Sequence, residues 1–405
     1  MRISFPSTMI GLTLLAIVTL PQVTAFMFGT NSVGGFAISL ICILLITIHF
    51  ALGSSRKSGN AKAMLFILAL LTVVLVNGTY SFMMHSTFDF NRFASSYLLL
   101  VFFMLGALAF DLWFRGISNR RAHYAIKFVF YVLLISTSAY FFHFSPFGNL
   151  TRRPVFFYTE PSHFGLGFAP FLLYMAYFSG KWMRYVWVLV GFLIGTIVTN
   201  LTLVAGTVLV MFLVIPWRRI VMIIPLVLVM IVFGVGNAKH FTSRIDLSPE
   251  TKAHSALGYL SGMERAYLDL KDTYGTGVGF QQFGIIGERG VFMERLAEIN
   301  LADMNLYDGS AVAFKLTGEL GLIGIAVLLA YLAHFWKHFR RLHATAMSCN
   351  LEESKDVFMT SCFLMFILDF FVRGESYYSA VSFMFLSSVV WLMLRKRALA
   401  DRLVA

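Results

Sequence analysis

The sequence predicts an all-α integral membrane protein, on three observations. Hydrophobic residues make up 58% of the 405-residue chain and charged residues 13%, against roughly 45–50% and about 25% in a soluble domain; the mean hydropathy is +0.77. Apolar windows recur from end to end, each near the ~20 residues that a helix needs to cross the hydrocarbon of a bilayer. Lys and Arg gather in alternate connections between those windows, which is the asymmetry of the positive-inside rule. Sheet-forming alternation of any length and internal repeats are both absent from the sequence.

In order, the predicted spans centre on 8–28, 33–52, 64–84, 93–114, 126–145 and 163–180, then 219–237, 311–334, 357–372 and 377–394. The stretch YVWVLVGFLIGTIVTNLTLVAGTVLVMFLVIPWRR from Tyr185 is too long for one span and short for two. It is read as two short spans meeting near Thr199-Asn200, which alone puts Lys181/Arg184 and Arg218/Arg219 on one side. About twelve transmembrane helices result. The basic side holds Arg2, Arg56/Lys57/Lys62, Arg115/Arg120/Arg121/Lys127, Lys181/Arg184, Arg218/Arg219, Lys337/Arg340/Arg341 and Arg395/Lys396/Arg397, so it and both termini are assigned to the cytoplasm. Three regions follow: a bundle over 1–237 with about nine spans, a large outward loop over 238–310, and a bundle of the last three spans over 311–405. Within the loop, SPETKAHSALGYLSGMERAYLDLKDTYG reads as a short amphipathic helix that starts near Ser248-Pro249-Glu250 and stops at Gly275.

The net charge of +12 is therefore loop bias and attraction to anionic lipids, and no nucleic-acid partner is expected. Cys42, Cys349 and Cys362 lie in or beside apolar stretches without paired spacing, which points to neither a disulfide framework nor a zinc site. The N-terminus imitates a signal peptide, with Arg2, an apolar stretch and Val23-Thr24-Ala25; it is read as an uncleaved first span.

The outward ionisable residues call for another explanation. Arg152, Arg153, Arg244, Arg265, Arg289 and Arg373 fall where topology supplies no reason for a cation. Ionisable groups at membrane depth are usually paired or line a substrate path. Lys315/Glu319 and Asp369/Arg373 are each four residues apart, the spacing of a helical ion pair. Glu160 has no such neighbour; it precedes Pro161 at the first turn of a helix, with Ser162 and His163 beside it, and is placed for chemistry. Arginine forks fit phosphate oxygens, and fixed cations stabilise a departing diphosphate. What remains is a base for an incoming hydroxyl, which Glu160, His163 or Asp308 could supply. The pattern suits transfer of a sugar from a lipid diphosphate to another sugar. GTGVGF from Gly275 misses the GxGxxG register and follows a helix, and no Walker, HExxH or GxSxG motif is present. No cofactor and no metal are expected.

Three segments resemble the O-antigen polymerase and ligase superfamily of bacterial envelope enzymes. FFYTEPSHFG, 156–165, is similar to the Glu-Pro-Ser segment of Wzy-type polymerases. SGMERAYLDLKDTYGTGVGFQQFG resembles the family's arginine, amphipathic stretch and Gly-Val-Gly turn, with Arg265 and Gly277-Val278-Gly279 in the matching places. SAVAFKLTGELGLIG, with Glu319 and Gly321, resembles the span that closes the large loop. The resemblance implies a bacterial inner-membrane enzyme with a periplasmic loop and active site. It also implies metal-independent glycosyl transfer between undecaprenyl-diphosphate-linked oligosaccharides, with a chain-length regulator as a possible partner. Ligases of the superfamily carry a histidine just before the closing span; Ser310 stands there, after Asp308-Gly309. A polymerase is the expected activity, ahead of a ligase, and ahead of a flippase or transporter, whose symmetric halves are not visible. Arg152, Arg153 and Arg265, then Arg244 and Arg373, are the expected diphosphate ligands; Glu160, then His163 or Asp308, is the expected base.

Overall fold

The computed structural model describes residues 5–28, 34, 36–37, 39–40, 60–142, 155–156, 158, 160–216, 219, 246–345 and 350–404. Among them regular structure is helical, with no strand and one isolated bridge between Val155 and Tyr158. Among the described residues five helices are long and apolar enough to cross a membrane: Ser7–Met27, Ala61–Met84, Phe90–Gly116, Asn119–Tyr140 and Leu322–Thr345. They belong to α1 (Phe5–Met27), α2 (Asn60–Met84), α3 (Phe90–Gly116), α4 (Asn119–Ser136, extended by the short α5, Ser138–Phe141) and α12 (Leu322–Thr345). The predicted spans at 33–52 and 219–237 lie largely outside the described residues.

The centre of the bundle is α6 (Pro161–Tyr177), buried continuously from Phe164 to Tyr177. A helix apolar all round has no face for solvent, and α6 is accordingly packed by α4 and by the helices Lys181–Ile197, Leu201–Val214 and Ser354–Met365. The ambiguous stretch from Tyr185 forms a hairpin of α7 (Lys181–Ile197) and α8 (Leu201–Val214). Thr199 turns the chain at φ +52, and the Asn200 carboxamide caps α8 by accepting the Leu203 N–H at 3.0 Å. Gly195 lies against Val204 and Gly191 against Thr207, while Arg184 donates to the Val214 carbonyl at 3.0 Å. These pairs fix an antiparallel register with a cation on the last carbonyls of α8.

After α8 the described chain resumes in the loop. Its helix α9 (His254–Asp272) starts six residues beyond Ser248, which instead opens a turn closed by Thr251 N–H to Ser248 O. It stops where expected: Gly275, at φ +88, donates to the Leu270 carbonyl. The loop then packs α10 (Val291–Glu298) on α9 and leads into α11 (Val312–Leu320). The window read as one span over 311–334 is broken at Gly321, φ +58, and α12 (Leu322–Thr345) is a separate helix. The reason is the 275–280 turn, which docks on this break. Val278 and Gly279 donate to the carbonyls of Gly318 and Glu319, and Leu322 donates to Gly275 O. A Cβ on Gly277 would lie 2.4 Å from Glu319 O, so the glycines there permit backbone-on-backbone packing. Asn77 and Ser81 of α2 and the Gln282 side chain, bonded to both backbone groups of Asp89, tie the same turn to the α2–α3 connection.

The last helices are α13 (Ser354–Met365), α14 (Ile367–Phe371) and α15 (Ala380–Val404). Side-chain contacts sort the bundle's two ends. One holds Arg115, Lys355, Trp391, Thr345 and Arg184; the other holds Gln22, the start of α6, the Thr199-Asn200 turn, the 246–310 loop and the 372–379 link. Arg115, Lys355 and Arg184 therefore share one end of the fold, and Arg265 and Arg373 lie at the other.

Candidate functional site

Glu160 is the N-cap of α6 and Pro161 its first residue, as the Pro-Ser-His spacing predicted. Asn200 holds this turn, its amide donating to the Pro161 carbonyl while its oxygen caps α8. Glu160 gives no capping bond to its helix, so its carboxylate is left for other partners. The Ser162 hydroxyl donates to Oε2 at 3.1 Å and Arg373 Nη2 at 3.2 Å, and the His163 Nε2 lies 3.8 Å away.

His163 joins this carboxylate to a second one. Its Nδ1 is 3.2 Å from Gln22 Nε2 and 3.6 Å from Glu375 Oε1, and Gln22 Nε2 donates to that Glu375 oxygen at 2.5 Å. Glu375 in turn is fixed by its own N–H on Asp369 Oδ1 at 2.9 Å. Four chain segments, α1, the α6 N-terminus, the link after α14 and the α7–α8 turn behind them, therefore converge here. The group is graded in exposure. Glu160 and Arg373 side chains are 49% and 25% exposed, whereas His163 and Glu375 are 12% and 5%.

The two carboxyls differ accordingly. Burial raises the Glu160 carboxyl, but the charges of His163 and Arg373 and the bonds from Ser162 and Arg373 outweigh it, holding Glu160 below the ordinary carboxylate range. Burial dominates at Glu375 and pushes it up, against the pull of His163 and Gln22. One carboxylate is exposed, ionised and in reach of ligands; the other is buried and in contact with the imidazole. Neither 3.6 Å nor 3.8 Å is a hydrogen bond. The 3.8 Å gap admits a hydroxyl oxygen at ~2.8 Å from both His163 Nε2 and Glu160 Oε2.

The other predicted residues lie in separate places. Arg152, Arg153 and Arg244 are outside the described residues. Arg265 is 5% exposed and forms a clasp within the loop: Nε meets Asp269 Oδ1 at 3.0 Å, and its terminal nitrogens donate to the Glu288 and Ile286 carbonyls. Asp308 pairs with Lys315 at 3.8 Å, and Lys315 lies 4.0 Å from Glu319, so the expected Lys315/Glu319 pair is present but loose. The expected Asp369/Arg373 pair is not formed. Helix α14 ends at Phe371, so the two are not on one helical face; Asp369 accepts from Glu375 N–H and Arg373 turns to Glu160. Gln22 and Glu375 escaped the sequence reading. Gln22 follows Pro21 inside an apolar helix, a polar residue where hydrophobicity alone needs none, and that is the signal that could have found it. Glu375, between two candidate spans, had none. Among the described residues no group of three or more His, Cys, Asp and Glu is set to hold a metal ion.

Below the link, an apolar cavity of about 550 Å³ lies between α2, α3, α12 and α15. Phe280 and Tyr377 line its outer end and His334 and His338 its inner half, the rest being mainly Phe, Leu, Val and Met. Tyr377 is two residues from Glu375, so cavity and cluster share one link. The chain matches no protein-family model, no curated protein and no solved structure.

Proposed function

We propose that the chain is a polysaccharide polymerase of bacterial envelope biosynthesis, of O-antigen type. It would act at the periplasmic face of the inner membrane as a bundle of twelve spans with both termini in the cytoplasm. The reaction moves a growing glycan from undecaprenyl diphosphate to a hydroxyl of the next lipid-linked repeat unit. The observation that carries this proposal is the Glu160–Arg373 contact: an exposed carboxylate held ionised beside a partly exposed guanidinium, at the bundle end that bears the loop. Glu160 takes the proton of the acceptor hydroxyl as its oxygen attacks the anomeric carbon. The bond from that carbon to the diphosphate oxygen breaks, and the leaving diphosphate keeps the electron pair, stabilised by Arg373. Arg152, Arg153 and Arg244 are further candidates for holding it, and Arg265, whose donors already have partners, acts by holding the loop in place.

The apolar cavity supports the lipid part of the proposal. Its volume of about 550 Å³ is within the ~300–1,000 Å³ of ordinary ligand sites, and its apolar walls suit a hydrocarbon chain entering from the bilayer. A headgroup at its outer end would sit by Tyr377, next to the cluster. The polymerase acts with membrane lipids around it and with a chain-length regulator as the expected partner.

The test is reconstitution. Purified protein in vesicles of anionic phospholipid, supplied with a lipid-diphosphate-linked repeat unit from the host strain, should release undecaprenyl diphosphate and make a ladder of products. Conversion only when a lipid A-core acceptor is added would identify a ligase instead, and movement of the substrate across the bilayer without new glycosidic bonds would identify a transporter.

A further inference from the structure

A glutamine in the first span decides where the proton sits on His163. Gln22 is 5% exposed and reaches from α1 between His163 and Glu375. Its amide nitrogen is 2.5 Å from Glu375 Oε1 and 3.2 Å from His163 Nδ1. The orientation of a carboxamide follows from its network. Turned the other way, the amide oxygen would face Glu375 Oε1 at 2.5 Å and would need a proton from the Glu375 carboxyl; with Glu375 ionised the two would be acceptors without a proton between them. Both amide hydrogens therefore have acceptors as placed: one is Glu375 Oε1 and the other is His163 Nδ1. A ring nitrogen that accepts carries no proton, so the neutral imidazole carries its proton on Nε2. Nε2 is the atom that faces Glu160 Oε2 at 3.8 Å.

We propose that Gln22 is a positioning residue that fixes His163 as the Nε2–H tautomer, making the imidazole a donor toward Glu160 and leaving Glu160 as the proton acceptor of the site. The consequence for the reaction rests on the function proposed above; the tautomer itself does not. His163 Nε2–H and Arg373 then hold the Glu160 carboxylate from two sides, and the acceptor hydroxyl gives its proton to Glu160 and not to the ring. As the glycosidic bond forms and the diphosphate leaves with its electron pair, that proton stays on Glu160, whose 49% exposure returns it to solvent. The groups that face the imidazole are Gln22 from α1, Glu160 from the start of α6 and Glu375 from the link after α14, with Ser162 and Arg373 acting through Glu160. Tyr158 and Asp369 act through Glu375.

The experiment uses the full chain in lipid nanodiscs with ¹⁵N-labelled histidine, the His163 signals being assigned by their loss in His163→Asn. Long-range proton–nitrogen correlations report which ring nitrogen is protonated, without substrate. The wild type should show an unprotonated Nδ1 and a protonated Nε2. Gln22→Leu should show a mixture of tautomers, and Gln22→Met, which keeps the side-chain length and has no amide to donate, should show the same mixture. A proton on Nδ1 in the wild type, or an unchanged tautomer in Gln22→Leu, would overturn the assignment. In the polymerisation assay, Gln22→Leu should lose about tenfold in kcat with little change in KM and with an unchanged melting midpoint. An unchanged kcat together with a scrambled tautomer would show that Gln22 sets the ring but that the ring does not serve Glu160. A wild type inactive on lipid diphosphates would overturn the polymerase proposal while the tautomer measurement still stands.

Discussion

The two ends of the bundle each hold an arginine, carboxylates and a histidine, yet they are built differently. At the basic end Arg115 makes two bonds to Asp111, at 2.8 and 3.1 Å, gives a third to the Trp391 carbonyl at 3.0 Å and lies over the Trp391 ring. Lys355 donates to the carbonyls of Arg115 and Ile117, Asp356 accepts from Trp391, and His123, Tyr174 and Ser354 form a closed chain. At the loop end Arg373 has one bond to Glu160, His163 stands 3.6 and 3.8 Å from its two carboxylates, and Glu160 is half exposed. A saturated polar network fixes a structure, and a partly open one keeps bonding capacity for a ligand. Arg265 belongs with the first kind although it lies in the loop.

That contrast predicts opposite phenotypes. The largest effect is expected for Glu160→Gln, which keeps the shape and removes the base. Polymerisation should fall about 10²–10⁴-fold with an unchanged melting midpoint, and a melting loss in place of an activity loss would put Glu160 in the structural class. Asp111→Ala should do the reverse, because it leaves a partly buried guanidinium without its carboxylate. A loss of about 3–5 kcal/mol is expected for a broken buried pair, read as a lower unfolding midpoint in detergent. Arg265→Ala should free the loop clasp, seen as faster proteolysis within 286–290, with polymerisation falling only as the loop loosens.

Smaller effects concern pH. Because Glu160 is held below the ordinary carboxylate range, it stays ionised through neutral pH, and activity should fail only as pH drops below that range. Arg373→Ala removes one cause of the lowering, so the acid limb of the activity profile should move to higher pH; a profile that does not move would separate Arg373 from Glu160. Asp269, pushed up by burial to about 7 from 3.8 against the opposing charge of Arg265, keeps its proton in the folded loop when the unfolded chain has released it. The folded state then binds more protons between those values, so stability should fall as pH rises from about 4 to about 7. Asp269→Asn should flatten that slope, measured as the melting midpoint across the window.

How much of this was legible in the sequence follows from the range of the interactions. The helical form of the long apolar windows and the Thr199-Asn200 hairpin depend on composition within one stretch of chain, and the described helices carry them. Glu160 with Pro161 was legible because a cap and a first-turn proline are neighbours in sequence. The breaks at Gly321 and Phe366 were not, since an apolar window looks the same whether a helix runs through it or stops where another segment docks. The Gln22–His163–Glu375 contact joins residues 141 and 353 positions apart in its two bonds, and nothing local announces it. The resemblance sets Arg265 among the diphosphate ligands; its bonds to Asp269 and to the Ile286 and Glu288 carbonyls, 21 and 23 positions further on in the last two cases, were not visible in the sequence.

The most direct measurement is a lipopolysaccharide gel from the source strain with this gene deleted and then complemented by the wild type, Glu160→Gln or Asp111→Ala at matched membrane levels. The account predicts a ladder for the wild type and core plus a single repeat for the deletion and for Glu160→Gln. Asp111→Ala should give a weaker ladder in proportion to the folded protein that remains. A full ladder with Glu160→Gln would contradict the assignment of the open end as the site of chemistry, and an unchanged ladder in the deletion strain would contradict O-antigen polymerisation itself.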